Sequence, residues 1–232
     1  MGKSLTQQKR GKGSPTYRAR AKGYKIRVSY PSSEGQGKVL KLISIAGFSA
    51  PLAMIKLDRE IFFNIANEGL FESQEIQIGK NAEAKSGNIL PLVNIPTGTL
   101  IYNIETVPGL GGKLVRSSGI SAKVIKKIIE GVVVALPSKE EKVMNNNCRA
   151  TIGVAAGSGR VDKPFVKAGK RWHLMKARGK LYPRTSPVKM NAVCHPFGGG
   201  RGKRIKSKIA KRNAPPGAKV GLIRPSRTGR HR

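Results

Sequence analysis

Val39-Leu-Lys-Leu-Ile-Ser-Ile45, Ala53-Met-Ile-Lys-Leu57 and Ile61-Phe-Phe-Asn-Ile65 follow one another as short apolar runs separated by turn residues. Runs of this length, rich in Val, Ile and Phe and punctuated by Gly, Pro and Asn, are the pattern of β-strands. Working outward, Leu100-Ile-Tyr-Asn-Ile104, Lys113-Leu-Val115, Val132-Val-Val-Ala-Leu136 and Thr151-Ile-Gly-Val154 repeat it. No long helical crossover lies between them, so the pattern predicts a mostly β fold of small barrels rather than a parallel sheet. Two barrels fit the length, with a border near Lys85-Ser-Gly-Asn88, where polar turn chemistry parts Gln74-Glu-Ile-Gln-Ile78 from Ile89-Leu-Pro-Leu-Val93. From Ile120 to Ile129, Val124, Ile125, Ile128 and Ile129 stand at helical spacings and predict a short helix, although the β-branched content leaves a strand open. No internal repeat of fixed period is visible.

The charge is distributed unevenly. The chain has 232 residues with 45 Lys plus Arg against 12 Asp plus Glu, a formal net charge of +33. Residues 1–30 carry 9 basic and no acidic groups, residues 31–100 carry 6 and 7, residues 101–160 carry 9 and 4, and residues 161–232 carry 21 and 1. The ends therefore hold 29 of the 33 excess charges. Two polycationic arms flank a globular middle, and such a field needs a polyanion as partner. The arms are too polar and glycine-rich to bury much, and are expected to order only on that partner. No apolar run approaches the roughly 20 residues that span a bilayer, and no amphipathic basic helix suits a membrane surface. The first residues lack the apolar stretch of a signal peptide, which makes the cytosol the expected compartment. Two cysteines, Cys148 and Cys194, are too few and too far apart for a disulfide framework or a CxxC knuckle, and read as free thiols.

Several stretches invite chemistry. Pro108-Gly-Leu-Gly-Gly112-Lys113 superficially resembles a phosphate-binding loop but lacks the GxxxxGK[ST] spacing. Its glycines would let the backbone approach an RNA backbone, with Lys113 and Arg116 meeting phosphates; a plain β-turn is an equal alternative. Cys194-His195, with Cys148 and His173 elsewhere, lacks the short-spaced ligand pairs of a metal site and any sign of a catalytic base beside a thiol. Paired-carboxylate chemistry has little to stand on, because Asp162 is the only acid after Glu141. Met190-Asn-Ala-Val-Cys-His-Pro-Phe-Gly-Gly-Gly-Arg-Gly-Lys203 is too polar and glycine-rich for a core strand and must be a loop. There, Gly198, Gly199 and Gly200 would free the backbone to thread between RNA helices, His195 and Phe197 offer rings for stacking, and Arg201, Lys203 and Arg204 neutralise phosphates. A disordered basic tail is the bland alternative, against which stand these aromatics and Trp172, His173 and Tyr182 among the basic residues of 167–184.

These residues resemble a known family: the universal large-subunit ribosomal protein called L-two, in its archaeal/eukaryotic form. The most specific part is Met190-Asn-Ala-Val-Cys-His-Pro-Phe-Gly-Gly-Gly200, similar to the family's MN-x-V-x-HP-x-GGG loop. Cys148-Arg-Ala-Thr-Ile-Gly153 and Lys163-Pro-Phe-Val-Lys-Ala-Gly169 support it in the right order, as do Ala50-Pro-Leu-Ala53, Ile95-Pro-Thr-Gly-Thr99 and Asn103-Ile-Glu-Thr-Val-Pro-Gly-Leu-Gly-Gly-Lys-Leu114.

The resemblance implies an OB-like barrel over residues 35–87 and an SH3-like barrel over 88–168, between a basic N-terminal extension (1–34) and a basic Gly/Pro-rich C-terminal extension (169–232). It implies binding to large-subunit ribosomal RNA, neighbouring ribosomal proteins as further partners, roles in subunit assembly and association, and a His195 loop approaching the peptidyl-transferase region. His195 matches the family's histidine, Gly198 to Gly200 its glycine run, and Arg149 and Arg160 basic positions of the second barrel. Where relatives often have Asp before the histidine this chain has Cys194, which weakens proton transfer and favours RNA contact for His195. The RNA-binding set expected is thus Lys113, Arg116, Arg149, Arg160, Lys163, Lys167, Trp172, Met190, Asn191, His195, Phe197, Gly198 to Gly200, Arg201, Lys203 and Arg204. No catalytic residue, resident metal, cofactor, membrane or small-molecule substrate is expected, although Mg ions bridging protein and RNA phosphates fit this chemistry. Two rivals are a general nucleic-acid-packaging protein and a catalytic accessory with His195 as general base.

Overall fold

The computed structural model describes residues 3–18, 26–200, 209–215 and 217–223. They belong to two compact units, Ala21–Val166 and Met1–Arg20 with Lys167–Arg232.

In the Ala21–Val166 unit the short apolar runs are strands. β1 (Gly35–Ile43), β2 (Leu52–Leu57), β3 (Glu60–Ile65) and β4 (Glu75–Ile78) come first. β5 (Ile89–Pro91), β6 (Leu100–Tyr102), β7 (Ile104–Glu105) and β8 (Gly112–Leu114) follow, then β9 (Ala122–Ile128), β10 (Gly131–Ala135), β11 (Glu141–Met144) and β12 (Arg149–Ile152). Ten of them form one sheet in the order β11-β10-β9-β6-β12-β5-β4-β1-β2-β3, while β7 and β8 pair separately. The pairings are antiparallel except for one parallel bridge, Ile78 opposite Ile89, which joins β4 to β5.

The mostly β class holds; barrel closure does not. The terminal strands β11 and β3 do not pair with one another, so the ladder stays open. Charged residues stand on both edges, Glu141 and Lys142 on β11 and Glu60 on β3, and such edges resist further pairing. What the sheet does make is two cores. Successive side chains of a strand point to opposite faces, and β5 uses this to serve both: Ile89 belongs to the cluster that holds Tyr30, Val39, Ile55 and Leu57, whereas Leu90 belongs to the one that holds Leu52, Ile101, Val124 and Val134. Each such side chain, fully withdrawn from water, contributes roughly 1.5–3 kcal/mol.

The helix expected over Ile120 to Ile129 is a strand. Val124 lies opposite Val134 on β10, and Ala122 and Val124 are buried while Lys123 and Ile125 face out. Cross-strand pairing with a valine-rich partner rewards β-branched residues more than a helix does.

The second unit carries α1 (Thr6–Gly11), α2 (Ala168–Ala177) and two parallel two-residue strands, β13 (Ile209–Ala210) and β14 (Leu222–Ile223). Residues 169–232 are therefore not irregular throughout. α2 ends in a glycine-dependent stop: Gly179, at φ +62°, donates to the Lys176 carbonyl (3.2 Å), and Lys180 donates to that of Met175 (2.9 Å). This pair of bonds satisfies the last carbonyls of the helix, and the left-handed glycine permits it.

Candidate nucleic-acid interface

The segment from Met190 to Gly199 folds on itself. The amides of Cys194 and His195 both donate to the Asn191 carbonyl (2.9 and 3.2 Å), that of Gly198 to the His195 carbonyl (2.8 Å), and that of Gly199 to the Met190 carbonyl (3.0 Å). His195 is 9% exposed; its Nδ1 accepts from the Phe197 amide at 3.1 Å, and its ring lies 5.0 Å from that of Phe197. An Nδ1 that accepts leaves the proton of neutral imidazole on Nε2. The glycines are needed for the knot itself. A Cβ on Gly198 would overlap the Met190 carbonyl oxygen, and Gly199 sits at φ +72°. Only Gly200 has open space around it. A cleft of about 310 Å³ lies beside this knot, lined by His195, Cys194 and Val193 together with Lys3, Leu5 and Gln8 of the N-terminal segment. The Lys3 amide donates to the Val193 carbonyl at 2.8 Å, tying the two chain ends together.

The second glycine-rich loop holds an anion of its own. Glu105, fully buried at the end of β7, accepts from the amides of Gly111 (3.0 Å) and Gly109 (3.4 Å) in the connection to β8. From β12 it accepts from the Arg149 amide (2.9 Å) and forms an ion pair with the Arg149 guanidinium (3.1 Å). The loop that resembles a phosphate cradle thus closes around a carboxylate of the same chain, an anion nest made of backbone N–H groups. A Cβ on Gly112 would overlap Asn103, so this approach also demands glycine.

Arg149 is accordingly turned inward. Its side chain is 17% exposed, donates to the Pro31 carbonyl as well as to Glu105, and lies over the Tyr30 ring at 5.3 Å. Arg116 donates to the Gly112 carbonyl (3.2 Å) and stacks 5.5 Å from the Phe48 ring, and burial lowers the pKa of its guanidinium from the ordinary value. Arg160 is exposed, with Nε on the Ser118 hydroxyl at 2.9 Å; Lys113 and Lys163 are exposed. In the other unit, Lys167 caps α2 and Trp172 is 39% exposed, with its ring edge-on to His173 at 4.8 Å. Arg201, Lys203 and Arg204 lie outside the described residues. The expected set therefore divides: Met190, Asn191, His195, Phe197, Gly198 and Gly199 share one knot, and Lys113, Arg116, Arg149, Arg160 and Lys163 belong to the sheet unit. Among the described residues, no three His, Cys, Asp or Glu side chains cluster as metal ligands would.

A family model described as Ribosomal Proteins L2, C-terminal domain, matches residues 85–217. The large ribosomal subunit protein uL2 of Methanothermobacter thermautotrophicus is 46% identical over 241 residues, spanning all of both chains. Those of Archaeoglobus fulgidus and Methanococcoides burtonii are 47% and 45% identical, over 99% of this chain and 99% and 100% of their own. The chain belongs to the L2 ribosomal protein family.

What the sequence reading missed in this L2-family chain is a second cleft, of about 350 Å³, lined by Tyr17, Arg171, Tyr182 and Arg184 among others. The aromatic and basic residues of 167–184 carried the signal, but nothing in linear order links them to Tyr17. The unit holding both clefts contains no acidic residue: six Lys and Arg in residues 1–20 and twenty in residues 167–232 stand against no Asp or Glu.

Proposed function

We propose that this L2-family chain is a structural, non-enzymatic constituent of the large ribosomal subunit, working in the cytoplasm and binding large-subunit ribosomal RNA. The observation that carries it is the acid-free unit with its twenty-six cations, which has no counter-charge of its own. α2 adds to this: it has no acid in its first turn and carries Lys170 and Arg171 there, against the preference of the helix dipole. Phosphates relieve both strains. The names of the uL2 relatives supply the subunit.

The sheet unit serves as the rigid body and the acid-free unit as the main RNA anchor. Lys113, Arg160, Lys163, Lys167 and Trp172 are the exposed contacts, joined by Asn191, Phe197 and the cations after Gly200. Arg149 and His195 act from beneath, holding the Glu105 loop and the Met190–Gly199 knot in shape. In this reading the chain supports assembly and association of subunits, orders RNA near the peptidyl-transferase centre, and touches neighbouring ribosomal proteins. It carries no cofactor, and Mg ions serve only as bridges between phosphates. No helix among the described residues is long and apolar enough to cross a membrane.

Binding of the full chain to large-subunit ribosomal RNA and to mixed-sequence duplex DNA, measured over a salt series, tests this. Each phosphate contact adds about 0.9 to the log-log salt slope on a duplex, or about 0.7 on a single strand. A preference for ribosomal RNA that survives high salt is the expected result. Equal affinities that vanish together would leave a generic packaging polycation. The catalytic-accessory rival predicts that His195→Ala abolishes turnover of assembled subunits; near-normal turnover is expected instead.

A further inference from the structure

The second cleft of the acid-free unit is chemically distinct from the His195 knot. Four cations, Arg10, Arg171, Lys180 and Arg184, and two aromatic rings, Tyr17 and Tyr182, converge on about 350 Å³. They come from three stretches: α1 and the turn after it, the body of α2, and the segment following its glycine stop. The Arg171 guanidinium already lies over the Tyr182 ring at 5.4 Å, a flat platform assembled before any ligand arrives. Met175 adds apolar lining, and the backbone bond from Lys180 to Met175 (2.9 Å) holds the later segment against the helix. No Asp or Glu of this unit is available to neutralise the cations, because it has none.

Charge alone would be satisfied by phosphates on an open surface. A concave site lined by both aromatic rings and cations asks for a ligand that has both a planar face and an anion. Base stacking on aromatic rings or arginine planes is how unpaired nucleotides are held, whereas bases inside a duplex have their faces already covered. The volume falls at the lower end of small-ligand sites, about 300–1,000 Å³, which is room for one nucleotide and not for a helix. We propose that this cleft takes a single unstacked nucleotide of a single-stranded RNA segment, its base against the tyrosine rings and its phosphates on the surrounding cations. This rests on the RNA-binding reading above and names a docking point within it.

The test uses the full chain with two probes of equal length: a single-stranded RNA of about ten nucleotides, and a ribose-phosphate oligomer lacking every base. Stacking is worth about 1–3 kcal/mol per base, so wild type should favour the intact RNA by roughly fivefold to 150-fold. Tyr182→Ala should remove most of that preference while leaving affinity for the abasic oligomer and the salt slope unchanged, and Tyr182→Phe should retain it. RNA substituted with 4-thiouridine should photocrosslink to Tyr17 or Tyr182 in the wild-type chain, a readout that stands even if Tyr182→Ala does not fold. Equal binding of both probes, or crosslinks confined to other peptides, overturns the proposal. If the chain still prefers ribosomal RNA to duplex DNA in that event, only the nucleotide site is lost; if it does not, the RNA reading is lost with it.

Discussion

Gly198 and Gly200 look interchangeable in the run Gly198-Gly-Gly200, yet their surroundings differ. A Cβ on Gly198 would overlap the Met190 carbonyl and come within 2.5 Å of that of Asn191, whereas around Gly200 nothing lies within 4 Å. Gly198→Ala should therefore destabilise the knot by about 1–3 kcal/mol, the usual range for overpacking, and Gly200→Ala should not. Faster amide hydrogen exchange at residues 198 and 199 in the first variant alone is the expected readout; equal protection in both would contradict the packing described. His195 belongs to the same structure. With Nδ1 engaged by the Phe197 amide at 3.1 Å, the ring is a spacer that fixes the loop.

At the scale of elements, the β7–β8 connection shows how a loop with the look of a phosphate site comes to serve its own fold. Glu105 gathers the amides of Gly109, Gly111 and Arg149 and pairs with the Arg149 guanidinium. Around it, the Tyr30 hydroxyl donates to the Asn103 carbonyl (2.6 Å) and contacts the Thr151 hydroxyl (2.8 Å), linking the chain before β1 to β12. Removing one partner of a buried pair leaves the other charge uncompensated, at a cost of about 3–5 kcal/mol. Glu105→Ala should lower the urea midpoint accordingly; a loss under about 1 kcal/mol, the worth of a surface pair, would mean that the carboxylate organises nothing. α2 makes the complementary case. It buries no residue and shows no apolar stripe, so periodicity could not reveal it; the stop at Gly179 marks its end.

For the molecule as a whole, charge and burial are divided between the units. The Met1–Arg20 with Lys167–Arg232 unit holds twenty-six cations and no acid, while every acidic residue, and both large hydrophobic clusters, belong to Ala21–Val166. RNA affinity should thus follow salt, and stability of the sheet unit should follow pH through its buried tyrosines. Burial, the dominant cause at both sites, raises the hydroxyl pKa of Tyr30 and Tyr102 above the ordinary 10.0. The unfolded chain gives up these protons above pH 10 while the folded unit keeps them. Stability is therefore fully present below pH 10 and falls as pH rises past it, by about 1.4 kcal/mol per pH unit for each tyrosine. Denaturation midpoints between about pH 9 and 11 check this, and Tyr30→Phe should halve the slope. A flat profile would show that neither hydroxyl is shielded.

The sequence by itself determined the β class, through apolar runs too short for helices, and the need for a polyanion, through charge that no acid offsets. It also carried the family, through ordered motifs such as Met190-Asn-Ala-Val-Cys-His-Pro-Phe-Gly-Gly-Gly200. Tertiary structure decided what local pattern leaves open. Ala122–Ile128 became a strand because β10 lies beside it, and the two halves of the sheet joined in one ladder because Ile78 pairs with Ile89. Arg149 turned inward because Glu105 waits on a neighbouring strand, and Tyr17 came to line one cleft with Tyr182 because both belong to one unit. The physical reason is common to all four: each outcome depends on a partner far away in the chain, and local spacing records which residues are present but not which distant ones they will meet.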